Sequence, residues 1–195
     1  MRQWITYVIV GTAGVLLSIL VHELGHACSF RYLFRTPCTI VLHSFGGMAI
    51  PEQYRRSPGF LGAAAQCFLS FSGPLAGFIL AFFAISLLIH VNHENPGFAL
   101  KLLCYFLGWT AWISIFWGIF NLLPIYPMDG GHIAREVFLY FFPWRGIEYS
   151  LILSMVFAVL LIAVTLQQQM IFIALFFAFF AYQNYQEWSI RSFRR

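Results

Sequence analysis

Charge is what this chain has least of. Of its 195 residues only 9% are charged, while 61% are hydrophobic; soluble domains carry roughly 25% charged and 45–50% apolar residues. So few charges cannot cover a water-facing surface, which excludes a soluble globular domain. Acidic side chains number seven in all, and Asp129 is the only aspartate. Cysteine is equally thin. Cys28, Cys38, Cys67 and Cys104 are scattered with no C-x-x-C pair, so neither a patterned disulfide framework nor a cysteine-based structural zinc site is expected. They read as small apolar residues.

A formal charge of +4 would, in a soluble protein, invite a nucleic-acid reading. Here the arginines stand in short loops and at the C-terminus, where they act as topology determinants. No nucleic-acid partner is expected; the lipid bilayer is. A cleavage site is missing as well. Arg2 followed by an apolar run resembles a signal peptide, and Ala27-Cys28 faintly suggests a lipoprotein site. The run is nevertheless longer than a typical signal h-region, and no A-x-A-like site follows it. The segment is expected to be retained.

What is present is a series of long apolar runs, each near the roughly 20 residues that span hydrocarbon as a helix. They predict an all-α polytopic membrane protein of about five transmembrane helices: Trp4 to about Phe30, Phe60 to Ile89, Phe98 to Leu123, Ile147 to Leu166, and Ile171 to about Trp188. The second run has Pro74 inside it, which predicts a tilt or a break. Placing Arg31, Arg35, Arg55, Arg56, Arg135, Arg145, Arg191, Arg194 and Arg195 on one side leaves only Arg2 and Lys101 on the other. That asymmetry predicts an outer N-terminus and a cytosolic C-terminus. Between the first two runs, "CTIVLH" (Cys38–His43) is rich in β-branched residues and Gly46-Gly47 reads as a turn before "MAI". A short cytosolic-side β-hairpin is expected. No internal repeat or separate soluble domain is visible, so one membrane-embedded domain over 1–195 is expected, with a core at about 4–142 and extra helices at about 147–188.

Eighteen uncharged residues, Trp4 to Val21, end in "HELGH". On a helix, His22 and His26 project from one face one turn apart. Both imidazoles can then reach one metal ion, and Glu23 can lie beside it as a general base. That is the mechanical content of H-E-x-x-H. Ionisable groups in apolar spans are costly and usually functional; the bland alternative is a set of interfacial end residues. A tetrahedral catalytic zinc needs a third protein ligand. Asp129 lies in "NLLPIYPMDGGH" (Asn121–His132), just past the third run and, by the charge count, on the same side as HELGH. His43 and His132 stay open as ligands on that side. Glu94 falls in the opposite loop, and Glu136, Glu148 and Glu187 lack a comparable Gly/Pro-shaped setting.

With H-E-x-x-H in an apolar span and N-x-x-P-x-x-P-x-D-G-G downstream (Asn121, Pro124, Pro127, Asp129, Gly130), the chain resembles the site-2 protease family of intramembrane zinc metalloproteases. "SGPLAG" (Ser72–Gly77) is similar to the small-residue motif of that family's middle core helix, and "FGG" (Phe45–Gly47) to its membrane-associated hairpin. The resemblance covers about residues 10–142. It implies a three-helix catalytic core and one zinc ion per chain held by His22, His26 and Asp129. It also implies that Glu23 activates water, that Asn121 helps hold unwound substrate, and that the substrate is a transmembrane segment of another protein. The family often carries PDZ or CBS domains, and this chain has neither.

Other features read as structural. Gly73, Ala76 and Gly77 of SGPLAG are expected to pack helices closely. The His90/His93 pair reads as interfacial. The strand Cys38–His43 is a candidate for pairing with an extended substrate, or else a plugging loop. Two competing functions are a metal transporter or sensor and an inactive protease relative. A transporter would spread ionisable groups along several spans, whereas here they cluster at one end; intact Glu23 argues against inactivity. Compact size and the lack of organelle signals favour a bacterial cytoplasmic membrane.

Overall fold

A computed structural model of the chain describes residues 2–43, 46–51, 59–91 and 97–193. Phe45 of the F-G-G segment, Arg55, Arg56, His93, Glu94, Arg194 and Arg195 lie outside the described residues. In chain order the elements are α1 (Arg2–Leu33), β1 (Cys38–His43), β2 (Gly46–Pro51), α2 (Gly59–His90), α3 (Phe98–Asn121), α4 (Asp129–Phe141), α5 (Gly146–Gln167) and α6 (Ile171–Phe193). Among the described residues the protein is helical apart from one small antiparallel sheet. Among the described residues four helices are long and apolar enough to cross a membrane: Gln3–Leu33, Leu61–His90, Phe98–Asn121 and Gly146–Gln167.

The fifth expected span is a helix at its expected place, α6, with a graded composition. Its apolar run ends at Ala181 and is followed by Gln183, Asn184, Gln186 and Glu187. Eleven apolar residues rise about 16 Å, roughly half the hydrocarbon thickness. α4, which follows directly from the Gly/Pro-rich segment, is an additional short helix.

Pro74 does not break α2, which is continuous through it. Proline removes one ladder donor, but inside an apolar bundle neighbouring groups can satisfy the freed carbonyl, and Pro74 is fully buried. The hairpin also differs in detail from the expected one. His43 pairs with Gly46 and Leu42 with Gly47, so Gly46 and Gly47 are strand residues of β2.

The chain divides into two compact units, Met1–Arg55 with Ser72–Phe120, and Arg56–Phe71 with Asn121–Arg195. In the first, the hairpin packs against α1. α1 and α3 are joined by a buried hydroxyl seam: Ser18 Oγ donates to the carbonyls of Gly14 (2.8 Å) and Thr110 (3.2 Å), and Ser114 Oγ lies 3.0 Å from Ser18 Oγ. A side chain at Gly14 would come within 2.8 Å of the Thr110 hydroxyl, so the glycine sets how near the helices approach. Ala81, Ala84, Leu107 and Ala111 form the apolar part of the same core.

In the second unit α5 packs along α6 and against α4. Leu151 and Ala158 of α5 and Ala174 and Phe177 of α6 are buried there. The segment between α3 and α4 folds back on the start of α4. Ile125 is completely buried, Met128 N–H donates to Ile125 O at 2.8 Å, and a Cβ on Gly130 or Gly131 would strike the backbone of Leu122 or of Ile125 and Tyr126. The Asp-Gly-Gly sequence is therefore a packing requirement of this turn.

Candidate metal centre

Within the first unit, α1 carries Ser18, His22 and His26 at four-residue steps, and so on one face. Polar groups in an apolar helix need partners. Ser18 finds them in the seam with α3, one turn before the histidines. The His22 and His26 rings meet edge to face with centroids 4.9 Å apart, and their Nε2 atoms are 3.2 Å apart. His22 and Glu23 are both buried, at 4% and 5% exposure.

The converging nitrogens suit zinc. Two ligands at roughly 2.05 Å from a tetrahedral ion stand about 3.3 Å from each other, close to the separation found. Space for such a pair comes from α2. A Cβ on Gly73 would fall onto His26 Nε2 and within 2.8 Å of His22 Nε2. A Cβ on Gly25 would meet the Ser72 carbonyl and lie 2.9 Å from Ala76 Cβ. Gly25 thus brings α1 onto α2, and Gly73 leaves room for the imidazoles above it. SGPLAG was expected to pack helices; at Gly73 it also shapes the histidine pair, a role that spacing alone does not announce.

Within the second unit Asp129 is the first residue of α4 and half-buried. The turn that precedes it is fastened to α5 and α6. The Tyr126 N–H donates to Ser154 Oγ on α5 at 3.0 Å, and the Tyr126 carbonyl accepts from Asn184 Nδ2 on α6 at 2.7 Å. The Arg135 guanidinium lies 3.7 Å over the Tyr126 ring and forms an ion pair with Glu187 at 3.3 Å. None of Ser154, Asn184 and Arg135 stands out in the sequence as a site residue. The only available signal was polar residues in apolar helices.

Of the three expected ligands, His22 and His26 lie in the first unit and Asp129 in the second. His132 is exposed and packs its ring against Tyr126 at 4.9 Å. His43 ends β1. Glu187 is engaged by Arg135 and Arg191, and His90, exposed, sits 2.7 Å from the Ser86 carbonyl. Burial, with a smaller contribution from Cys28, pushes the Cys38 thiol above its ordinary range, so this cysteine offers no ready thiolate. Asn121 is the last residue of α3 and half-buried.

Comparison with known proteins bears on the family. The sequence model of Peptidase family M50 matches residues 88–164, a stretch that includes the Asn121–His132 segment. Rip3 of Mycobacterium tuberculosis is 28% identical over 135 residues, 67% of this chain and 32% of that protein. The zinc metalloprotease MJ0392 of Methanocaldococcus jannaschii is 30% identical over 122 residues, 62% of this chain and 32% of that protein. The match thus spans about a third of the length of these curated relatives. In fold, the chain is similar to the site-2 protease from Methanocaldococcus jannaschii, with a TM-score of 0.61 at 20% identity, covering 96% of this chain and 88% of that one. By sequence and by fold, the chain resembles the site-2-type zinc metalloproteases of peptidase family M50.

Proposed function

We propose that the chain is a zinc-dependent intramembrane endopeptidase that cuts transmembrane segments of other membrane proteins near the cytosolic side of the bilayer. The observation that carries the reading is the pair of Nε2 atoms at zinc-ligand separation, next to a buried glutamate, on a helix otherwise apolar enough to cross a membrane. His22, His26 and Asp129 would hold one zinc ion. Bound there, zinc supplies Lewis acidity toward water and the scissile carbonyl.

The side chains do the rest. The Glu23 carboxylate takes a proton from the attacking water and returns it to the leaving amine nitrogen. Burial of Glu23 keeps that transfer out of bulk solvent. A substrate helix hides its amides in its own hydrogen bonds and must be extended before attack. Asn121 offers an amide to the unwound backbone, and β1 offers main-chain groups of the kind that pair with an added strand. The nine-to-two split of basic residues supports an outer N-terminus and a cytosolic C-terminus.

The deciding experiment pairs metal content with cleavage in the detergent-solubilised chain. About one zinc per wild-type chain, clear loss in Asp129→Ala, and a transmembrane substrate cut by wild type but not by Glu23→Gln would support the proposal. Near-zero zinc in unchelated wild type would overturn it.

A further inference from the structure

The second unit contains a polar arrangement that the reaction itself does not use. Asn184 on α6 is 1% exposed and Ser154 on α5 is fully buried. Each is an expensive group to bury in an apolar helix. Their hydrogen bonds converge on one residue of the turn before α4. Ser154 Oγ accepts from Tyr126 N–H at 3.0 Å while donating to Ser150 O at 2.8 Å. Asn184 uses its amide nitrogen twice, donating to Tyr126 O and to its own helix at Phe180 O, both at 2.7 Å. Both backbone polar groups of Tyr126 are thus satisfied by side chains of two helices that contribute nothing to the candidate ligand set. The Tyr126 ring is covered in turn by Arg135. Three residues on, the chain reaches Asp129.

We infer that Asn184 and Ser154 are positioning residues: through the Tyr126 backbone they hold the turn that aims the Asp129 carboxylate, so α5 and α6 set the quality of the third metal ligand. This rests on the reading of Asp129 as a ligand given above. A ligand oxygen tolerates displacement of only a few tenths of an ångström. A four-residue turn of Tyr126, Pro127, Met128 and Asp129 transmits movement at its start to its end, because Ile125 and the Gly130-Gly131 backbone leave it no free space. Outer partners that orient metal ligands typically govern affinity by 10–100-fold.

The test is zinc affinity by chelator competition on the full chain in detergent, with a melting temperature for every variant. Asn184→Leu and Ser154→Ala should each weaken zinc by about 10–100-fold, while Ser154→Thr, which keeps the hydroxyl, should stay near wild type. In an Asp129→Ala background Asn184→Leu should weaken zinc no further, because there is no carboxylate left to aim. Lowered melting temperature with unchanged zinc affinity, or equal loss with and without Asp129, would mean a structural role only and overturn the inference. If Asn184→Leu does not fold, the contrast of Ser154→Ala with Ser154→Thr decides. Should Asp129→Ala itself leave zinc affinity unchanged, the ligand reading fails, and the positioning role fails with it; that result is distinct from an Asp129-dependent affinity that ignores Asn184 and Ser154.

Discussion

Gly73 on α2 lies so close to His26 on α1 that any side chain there would overlap the imidazole Nε2. The glycine shapes the candidate metal centre although it carries no donor. Overpacked sites force off-rotamer side chains and backbone shifts, and here the displaced atoms are the candidate ligands. Gly73→Ala should therefore cut zinc occupancy and proteolysis by at least about tenfold, a shift of ~1.4 kcal/mol in binding. Gly77→Ala, whose new methyl would meet Ser114 O at an ordinary 3.4 Å, should keep both. Metal analysis of the two variants side by side checks this.

Glu23 is adjacent in sequence to the candidate ligand His22, and the proposed reaction gives it proton transfer. Replacing it with glutamine keeps size and hydrogen bonding while removing the base. General-base contributions run to about 10²–10⁴-fold, so Glu23→Gln should lose that much turnover with zinc content unchanged. A transporter would give the opposite pattern, altered metal flux with no change in the cleavage state of any membrane protein. Single-turnover cleavage of a transmembrane peptide, with zinc measured on the same sample, separates the two.

Much of this site was legible because its chemistry is local. The i, i+4 histidines on an uncharged run and the lone aspartate in a Gly/Pro turn are visible as residue types and spacings. So were the hairpin strands and the helices of the three-helix core, within a few residues of their ends. Three things were not. Pro74 reads as a break because a sequence shows the lost donor and not the neighbours that make up for it. α4 was invisible because thirteen residues starting in Asp-Gly-Gly look like a continuation of the loop. The fastening of Tyr126 by Ser154 and Asn184 joins residues 28 and 58 positions apart, and nothing in either helix points to its partner.

The hydroxyl seam between α1 and α3 gives a prediction that is read first in stability. Ser18 bonds Gly14 O and Thr110 O and also meets Ser114 Oγ. Ser18→Ala would leave the Ser114 hydroxyl buried with its partner gone, which costs about 1–3 kcal/mol. Thermal unfolding in detergent should show a lowered midpoint. Because Ser18 stands one turn before His22 on the same face, zinc affinity should fall with it, though less than for a ligand variant.

Thr110 offers the reverse case on the same seam. Its hydroxyl oxygen is buried and has no hydrogen-bond partner among the described residues, while its backbone carbonyl already serves Ser18. Replacing a buried, unsatisfied hydroxyl by a methyl of the same shape removes a desolvation cost and leaves the carbonyl bond untouched. Thr110→Val should therefore be neutral or raise the unfolding midpoint, by up to about 1 kcal/mol, where Ser18→Ala lowers it. The Gly14 contact limits the freedom of the new methyl, since a side chain there would already lie 2.8 Å from the Thr110 oxygen; a valine holding the threonine rotamer fits the same space. A marked loss of stability in Thr110→Val would mean that this hydroxyl has a partner, most simply an ordered water in the seam, and that the polar track along α1 extends deeper into the bundle than Ser18.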